Sequence, residues 1–288
     1  MKHSLQVTLI LLTFFLLAQM IGLGVIYNYI DHGQSMNGET IFKDLPIGER
    51  PEIQNNYSYI YAIVAIGLGT MFVLFLLRHK LTWVWRIWFL MAIALALIIS
   101  FTAFIPAIIA TVLGITLAVW RIFKPNFWVQ NLTELFIYGG LAAIFVPLFS
   151  VVTVSILMVI IAFYDAYAVW KSKHMITLAK EQTKAKVFAG LYIPYTMKLP
   201  SGKHSRSKKG VKTAILGGGD IGFPLIFAGV IMVEMGVWQS MIIPFFALAG
   251  LAFLLLRSDE KKFYPAMPFI STACLLGLGL IYLIQYLS

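Results

Sequence analysis

The sequence has little charge and almost no cysteine. Only 12% of its 288 residues are charged, against about 25% in a soluble domain, so a soluble globular chain is excluded. The single Cys274 sits inside an apolar run, which rules out an intrachain disulfide and reads as a small core residue. None of the five histidines opens a His-Glu-x-x-His zinc signature. There is no Gly-x-Ser-x-Gly nucleophile elbow and no Cys/His cluster at zinc-ligand spacing. No metal or other cofactor is therefore expected. Internal repeats and low-complexity segments are also missing.

What is present is apolar sequence in long runs. Hydrophobic residues make up 60% of the chain, and the mean hydropathy is +0.87. The runs approach the ~20 residues a helix needs to cross a bilayer core. This composition predicts an all-α polytopic membrane protein with nine transmembrane helices. The first covers residues 5–27, longer than the apolar core of a signal peptide, and is read as a retained span. A polar loop follows over 28–57. The second span covers 58–77, with Trp83, Trp85 and Trp88 forming an interfacial belt beyond it. The third ends near Phe101, and the fourth runs from about Pro106 to Arg121 and Lys124. The fifth covers 132–146, the sixth 148–169, the seventh 213–233, the eighth 237–256 and the ninth 265–286. Residues 1–170 thus form a six-helix part, 171–212 a basic loop and 213–288 a three-helix part of one integrated membrane domain.

The net charge of +10 reports orientation, not nucleic-acid binding. Lys2, Arg78, Lys80, Arg86, Arg121, Lys124, Arg257, Lys261, Lys262 and the basic residues of 171–212 all fall on one side. The other side holds only Lys43 and Arg50. The positive-inside rule then predicts a cytoplasmic N-terminus and a C-terminus outside.

Against this apolar background two aspartates stand out. Asp220 ends the run Gly217-Gly218-Gly219 inside the seventh segment, and Asp165 lies near the end of the sixth. An aspartate at the centre of a spanning helix costs about 2.5–3.5 kcal/mol on insertion scales, so each calls for a functional reason. Counted as helix, Asp165 lies roughly 6 Å and Asp220 roughly 10 Å from the same membrane face. Two close carboxylates do not both ionise cheaply, so one keeps its proton. The ionised member can then draw a proton from water while the protonated member donates to a carbonyl oxygen. Paired intramembrane acids also serve proton- or cation-coupled transporters and channels, and that alternative stays open at this point. It predicts repeat symmetry and acids at mid-membrane. Glu134 and Glu234, at span ends, read as interfacial.

Tyr164-Asp165, Gly217-Gly218-Gly219-Asp220 and Pro265-Ala266-Met267-Pro268 resemble the YD, GxGD and PAL motifs of the presenilin and signal peptide peptidase family. Residues 164–179 look closest to archaeal presenilin homologues. Met267 departs from the usual leucine with an apolar residue of similar volume, a swap cores tolerate well. The resemblance implies an intramembrane aspartic endopeptidase with Asp165 and Asp220 as the catalytic pair. Tyr164, Gly217, Gly218, Gly219, Pro265, Ala266 and Met267 would then shape the substrate site. It implies a multi-pass protein, in the cell membrane if the source is prokaryotic. Its partners would be the bilayer and transmembrane-helix substrates, including membrane proteins and remnant signal peptides. It also implies action as a single polypeptide without accessory subunits, and leaves self-association open.

Within the basic loop, 174–185 suits a short helix, and 187–199 is apolar and aromatic where a solvated loop is expected. The latter stretch and 211–216 are candidate strands that would capture an unwound substrate by strand addition. Seating at the lipid headgroups is the alternative for 187–199.

Overall fold

The computed structural model describes residues 5–33, 40–50, 57–79, 81–172, 189–194, 213–258 and 264–287. Among these the chain forms nine long helices and one two-stranded sheet. In order they are α1 (Leu5–Tyr29), α2 (Ser58–Arg78), α3 (Thr82–Thr102), α4 (Ala107–Phe123), α5 (Phe127–Phe145), α6 (Val151–Tyr167), β1 (Gly190–Pro194), β2 (Thr213–Gly217), α7 (Gly218–Glu234), α8 (Val237–Arg257) and α9 (Met267–Leu287). Seven of the helices are long and apolar enough to cross a membrane. The chain is an integral, multi-pass membrane protein. The exceptions are α4 and α7, of 17 residues each, or about 25 Å at 1.5 Å per residue.

Helix α7 is the centre of the bundle. It packs against α1, α5, α6, α8 and α9. Ile221, Leu225, Phe227, Ala228, Val230 and Ile231 have no exposed surface. Around it the helices approach closely through small residues, as is usual where lipid supplies no hydrophobic drive between helices. A Cβ on Gly140 of α5 would overlap the Ala96 carbonyl oxygen of α3.

Several boundaries differ from the sequence reading. Helix α5 starts at Phe127 because the Asn126 side chain caps it, accepting from Trp128 N–H at 3.2 Å. Helix α6 starts at Val151 because Ser150 and Thr153 form a reciprocal capping box. Glu234 reinforces that end by accepting from Val151 N–H at 3.0 Å. It is a helix-capping residue, where the sequence reading left it interfacial. The seventh segment is the largest correction. Residues 213–217, expected both as the first turns of a span and, in 211–216, as a candidate strand, form strand β2, and the helix begins only at Gly218. Gly217, with φ −64° and ψ 148°, is the extended residue at the junction.

Strand β1 pairs antiparallel with β2, from Gly190 opposite Gly217 to Pro194 opposite Thr213. Leu191 and Ile193 of β1 and Ala214 and Leu216 of β2 turn into the core, and Ile215 is exposed. The expected short helix at 174–185 and the rest of 187–199 lie outside the described residues.

Candidate active site

The site forms where the end of α6 meets the starts of α7 and α9. Asp165 is the buried member, 5% exposed, two residues before α6 passes into a single π-helical turn at Ala168–Ser172. Its Oδ2 accepts from the Met267 backbone N–H at 3.1 Å. Met267 is the first residue of α9, and its amide belongs to the first turn of N–H groups that a helix leaves without internal partners. A helix N-terminus is a natural seat for a carboxylate. The Pro265-Ala266-Met267-Pro268 motif thus aims an amide at the first aspartate.

Asp220 is the third residue of α7, at the opposite kind of position. Its carboxylate turns back over Gly217, where an added Cβ would lie 3.3 Å from Oδ2. It faces the Gly217 backbone N–H. Helices α6 and α7, which carry the two aspartates, pack against each other. The reasoning from depth needs revision. Five extended residues precede Asp220's helix, so a count by helical rise does not give its depth.

Gly218 is required by Tyr138 of α5, whose Oη would lie 2.7 Å from an added Cβ. The looseness of the helix start comes from Pro224 as well. It lies four residues after Asp220 and has no N–H, so the Asp220 carbonyl gets no helical partner there. Gln19 of α1, fully buried, donates from Nε2 to the next carbonyl, Ile221 O, at 2.8 Å. Nothing in the sequence singles out Gln19, since its partner is 202 positions away.

A cavity of about 740 Å³ opens beside the aspartates. Its walls come from α2 (Ala62, Ala65, Ile66, Thr70), α3 (Phe89, Ala92, Ile93, Ala96), α5, α6 and the start of α7. Of the expected site-shaping residues, Tyr164 and Gly217, Gly218 and Gly219 line it. Pro265, Ala266 and Met267 do not, and of these Met267 donates its N–H to Asp165. Arg121 and Glu134 also reach the cavity wall. The sequence placed both at an interface, yet they are 2% and 1% exposed and form a buried ion pair. Glu134 also accepts from the Tyr138 hydroxyl and, at 2.9 Å, from Gly190 N–H. These partners satisfy a charge that would otherwise be costly to bury. Among the described residues no cluster of His, Cys, Asp and Glu could hold a metal ion.

The comparisons with known proteins agree with this geometry. Residues 42–287 match the family model of signal-peptide peptidase, presenilin aspartyl protease. Two crystal structures share the fold. One, a presenilin family intramembrane aspartate protease in space group C222, superposes with a TM-score of 0.60 at 19% identity, covering 95% of this chain and 99% of the other. The second, described in the same words but in space group P2, gives 0.59 at 20% identity, covering 95% and 96%. Among curated proteins none matches. The family match makes the chain an intramembrane aspartic protease. The chain belongs to the signal-peptide peptidase and presenilin aspartyl protease family.

Proposed function

We propose that the chain hydrolyses peptide bonds within transmembrane segments of membrane proteins or remnant signal peptides, with Asp165 and Asp220 as the catalytic pair. The observation that carries this reading is the family match over residues 42–287, supported by a cavity inside the bundle whose wall includes the aspartates' chain neighbours Tyr164 and Gly217–Gly219. One carboxylate takes a proton from a water molecule as its oxygen bonds to the scissile carbonyl carbon. The other, protonated, donates to the carbonyl oxygen. Collapse of the tetrahedral intermediate breaks the C–N bond, and the leaving amine takes a proton from the pair. Tyr164 and Gly217–Gly219 shape the cavity side of this site, and Pro265, Ala266 and Met267 hold Asp165 from behind.

A helix hides its amides in its own hydrogen bonds, so the substrate must unwind before attack. Strand β2 suits its capture, because it runs directly into Gly217 and Asp220 and presents an extended edge. The topology we favour has nine spans, a cytoplasmic N-terminus and the C-terminus outside, with α4 and α7 as short spans. Its parts are 1–170, 171–212 and 213–288, with the basic loop facing the cytoplasm. The chain acts without accessory subunits.

The test is cleavage of a tagged single-span substrate by the purified chain in liposomes, with product masses read by mass spectrometry. A cut inside the span by the chain alone is expected. A cut confined to the substrate's soluble flanks would contradict the reading.

A further inference from the structure

The two strands of the sheet have different outer edges. Gly218 N–H donates to Ala189 O at 3.2 Å, so in the register of this antiparallel pair Gly190 and Tyr192 turn their backbone groups away from β2. On that side stands a helix, α5, which supplies side chains in place of a third strand. Asn131, fully buried, accepts from Tyr192 N–H through Oδ1 at 3.0 Å and donates to Tyr192 O through Nδ2 at 2.9 Å. Glu134 Oε1 accepts from Gly190 N–H at 2.9 Å, and Gln130 Nε2 donates to Gly190 O at 3.3 Å. Pro194, at the end of the strand, has no N–H to offer. Every outward donor of β1 is thereby taken or missing.

The same alternation turns the N–H and C=O of Ile215 away from β1. Among the described residues no hydrogen bond reaches them, and Ile215 is 43% exposed. An unpaired edge is where another chain can add as a strand. The α5 side chains also continue toward the aspartates. Glu134 accepts from Tyr138, which packs on Gly218 two residues before Asp220.

We infer that Asn131 and Glu134 are positioning residues that clamp the outer edge of β1, so that substrate adds only to β2 and in one register relative to Asp220. This rests on the strand-addition reading above. The clamp fixes the sheet against α5, and through it fixes which substrate peptide bond meets the aspartates. If the clamp loosens, the sheet can shift against the aspartates. A slip of two residues keeps the side chains on their faces, whereas a slip of one reverses them.

The test uses the full chain in liposomes with the tagged single-span substrate. Three variants are compared with the parent: Asn131→Leu, Asn131→Asp and Ile215→Pro. Asn131→Leu removes both bonds to Tyr192 at similar volume. It should raise KM about tenfold, the size of one to two buried hydrogen bonds. It should also add a second product cut two residues from the main site. Asn131→Asp keeps the acceptor for Tyr192 N–H but turns a carboxylate oxygen toward the Tyr192 and Phe127 carbonyls, so it should show the same two changes. This variant decides the matter if Asn131→Leu does not fold. Ile215→Pro removes the outward donor of β2 and touches no bond to β1, so it tests strand addition itself and should raise KM. If Ile215→Pro cleaves like the parent, strand addition is wrong and the clamp loses its basis. If Ile215→Pro is impaired while the folded Asn131 variants keep the parent's KM and single product, the clamp inference alone is overturned.

Discussion

Helices α2 and α7 are both apolar in sequence, yet their surroundings differ sharply. In α2 only 6% of the most hydrophobic window is buried by the rest of the protein. An added Cβ on its Gly67 or Gly69 would meet nothing within 4 Å. Helix α7 is enclosed by five neighbours, and its Gly218, Gly222 and Gly229 all sit within contact distance of other helices' side chains. Hydropathy reports only that a segment leaves water. Whether its neighbours are lipid, cavity or protein depends on which small residues let other backbones approach. Here the difference has a functional shape. The loosely held helix forms one wall of the cavity, and the first turns of the enclosed helix, beside Asp220 in sequence, form another.

Substitutions at the two helices should separate accordingly. Gly218→Val should have the largest effect, because its side chain would collide with Tyr138 beside Asp220. We expect at least a hundredfold loss of kcat/KM, measured by cleavage of the single-span substrate in liposomes and equal to about 2.7 kcal/mol at the transition state. On the cavity face of α2, Ala65→Phe fills space that we assign to substrate. It should raise KM about tenfold and leave the thermal melting temperature unchanged, a split that a packing defect would not give. A tenfold change corresponds to about 1.4 kcal/mol.

Gln19→Leu probes how the start of α7 is held. It removes the bond to Ile221 O from a fully buried amide. We expect kcat to fall several-fold and the melting temperature to drop by a few degrees, both consistent with about 1 kcal/mol for one buried hydrogen bond. An unchanged kcat would remove Gln19 from the site. The smallest effects belong to the exposed side of α2. Gly67→Ala should leave both cleavage and melting at the parent's values, or raise the melting temperature slightly through helix propensity.

Much of the site was legible in the sequence because burying a carboxylate is expensive. Asp165 and Asp220 stood out for that reason, and the glycine and proline motifs around them could be read by type. The helical membrane fold was legible from apolar run lengths. The strands at the basic loop's borders were legible as candidates, but the point where the second strand gives way to α7 was not. Residues 213–216 are apolar and continuous with α7, so hydropathy joined a strand to a helix, and only its pairing with β1 separates them. Arg121 and Glu134 looked interfacial because ionisable residues commonly sit at span ends. Their pairing is set by how α4 and α5 pack, and their 13-residue separation belongs to no single-helix spacing. Asn131 and Gln19 were invisible for a related reason. A lone amide in an apolar helix has no local pattern, and its partners are backbone groups 61 and 202 positions away.

The claim that Asp165 and Asp220 form one catalytic pair is tested most directly by substituting each alone. Asp165→Asn and Asp220→Asn keep the shape of the side chains and remove one ionisable group apiece. In liposomes with the single-span substrate, both variants should melt like the parent and yield no product cut within the span. If either folded variant cleaves at the parent's rate, the two aspartates do not act as one site.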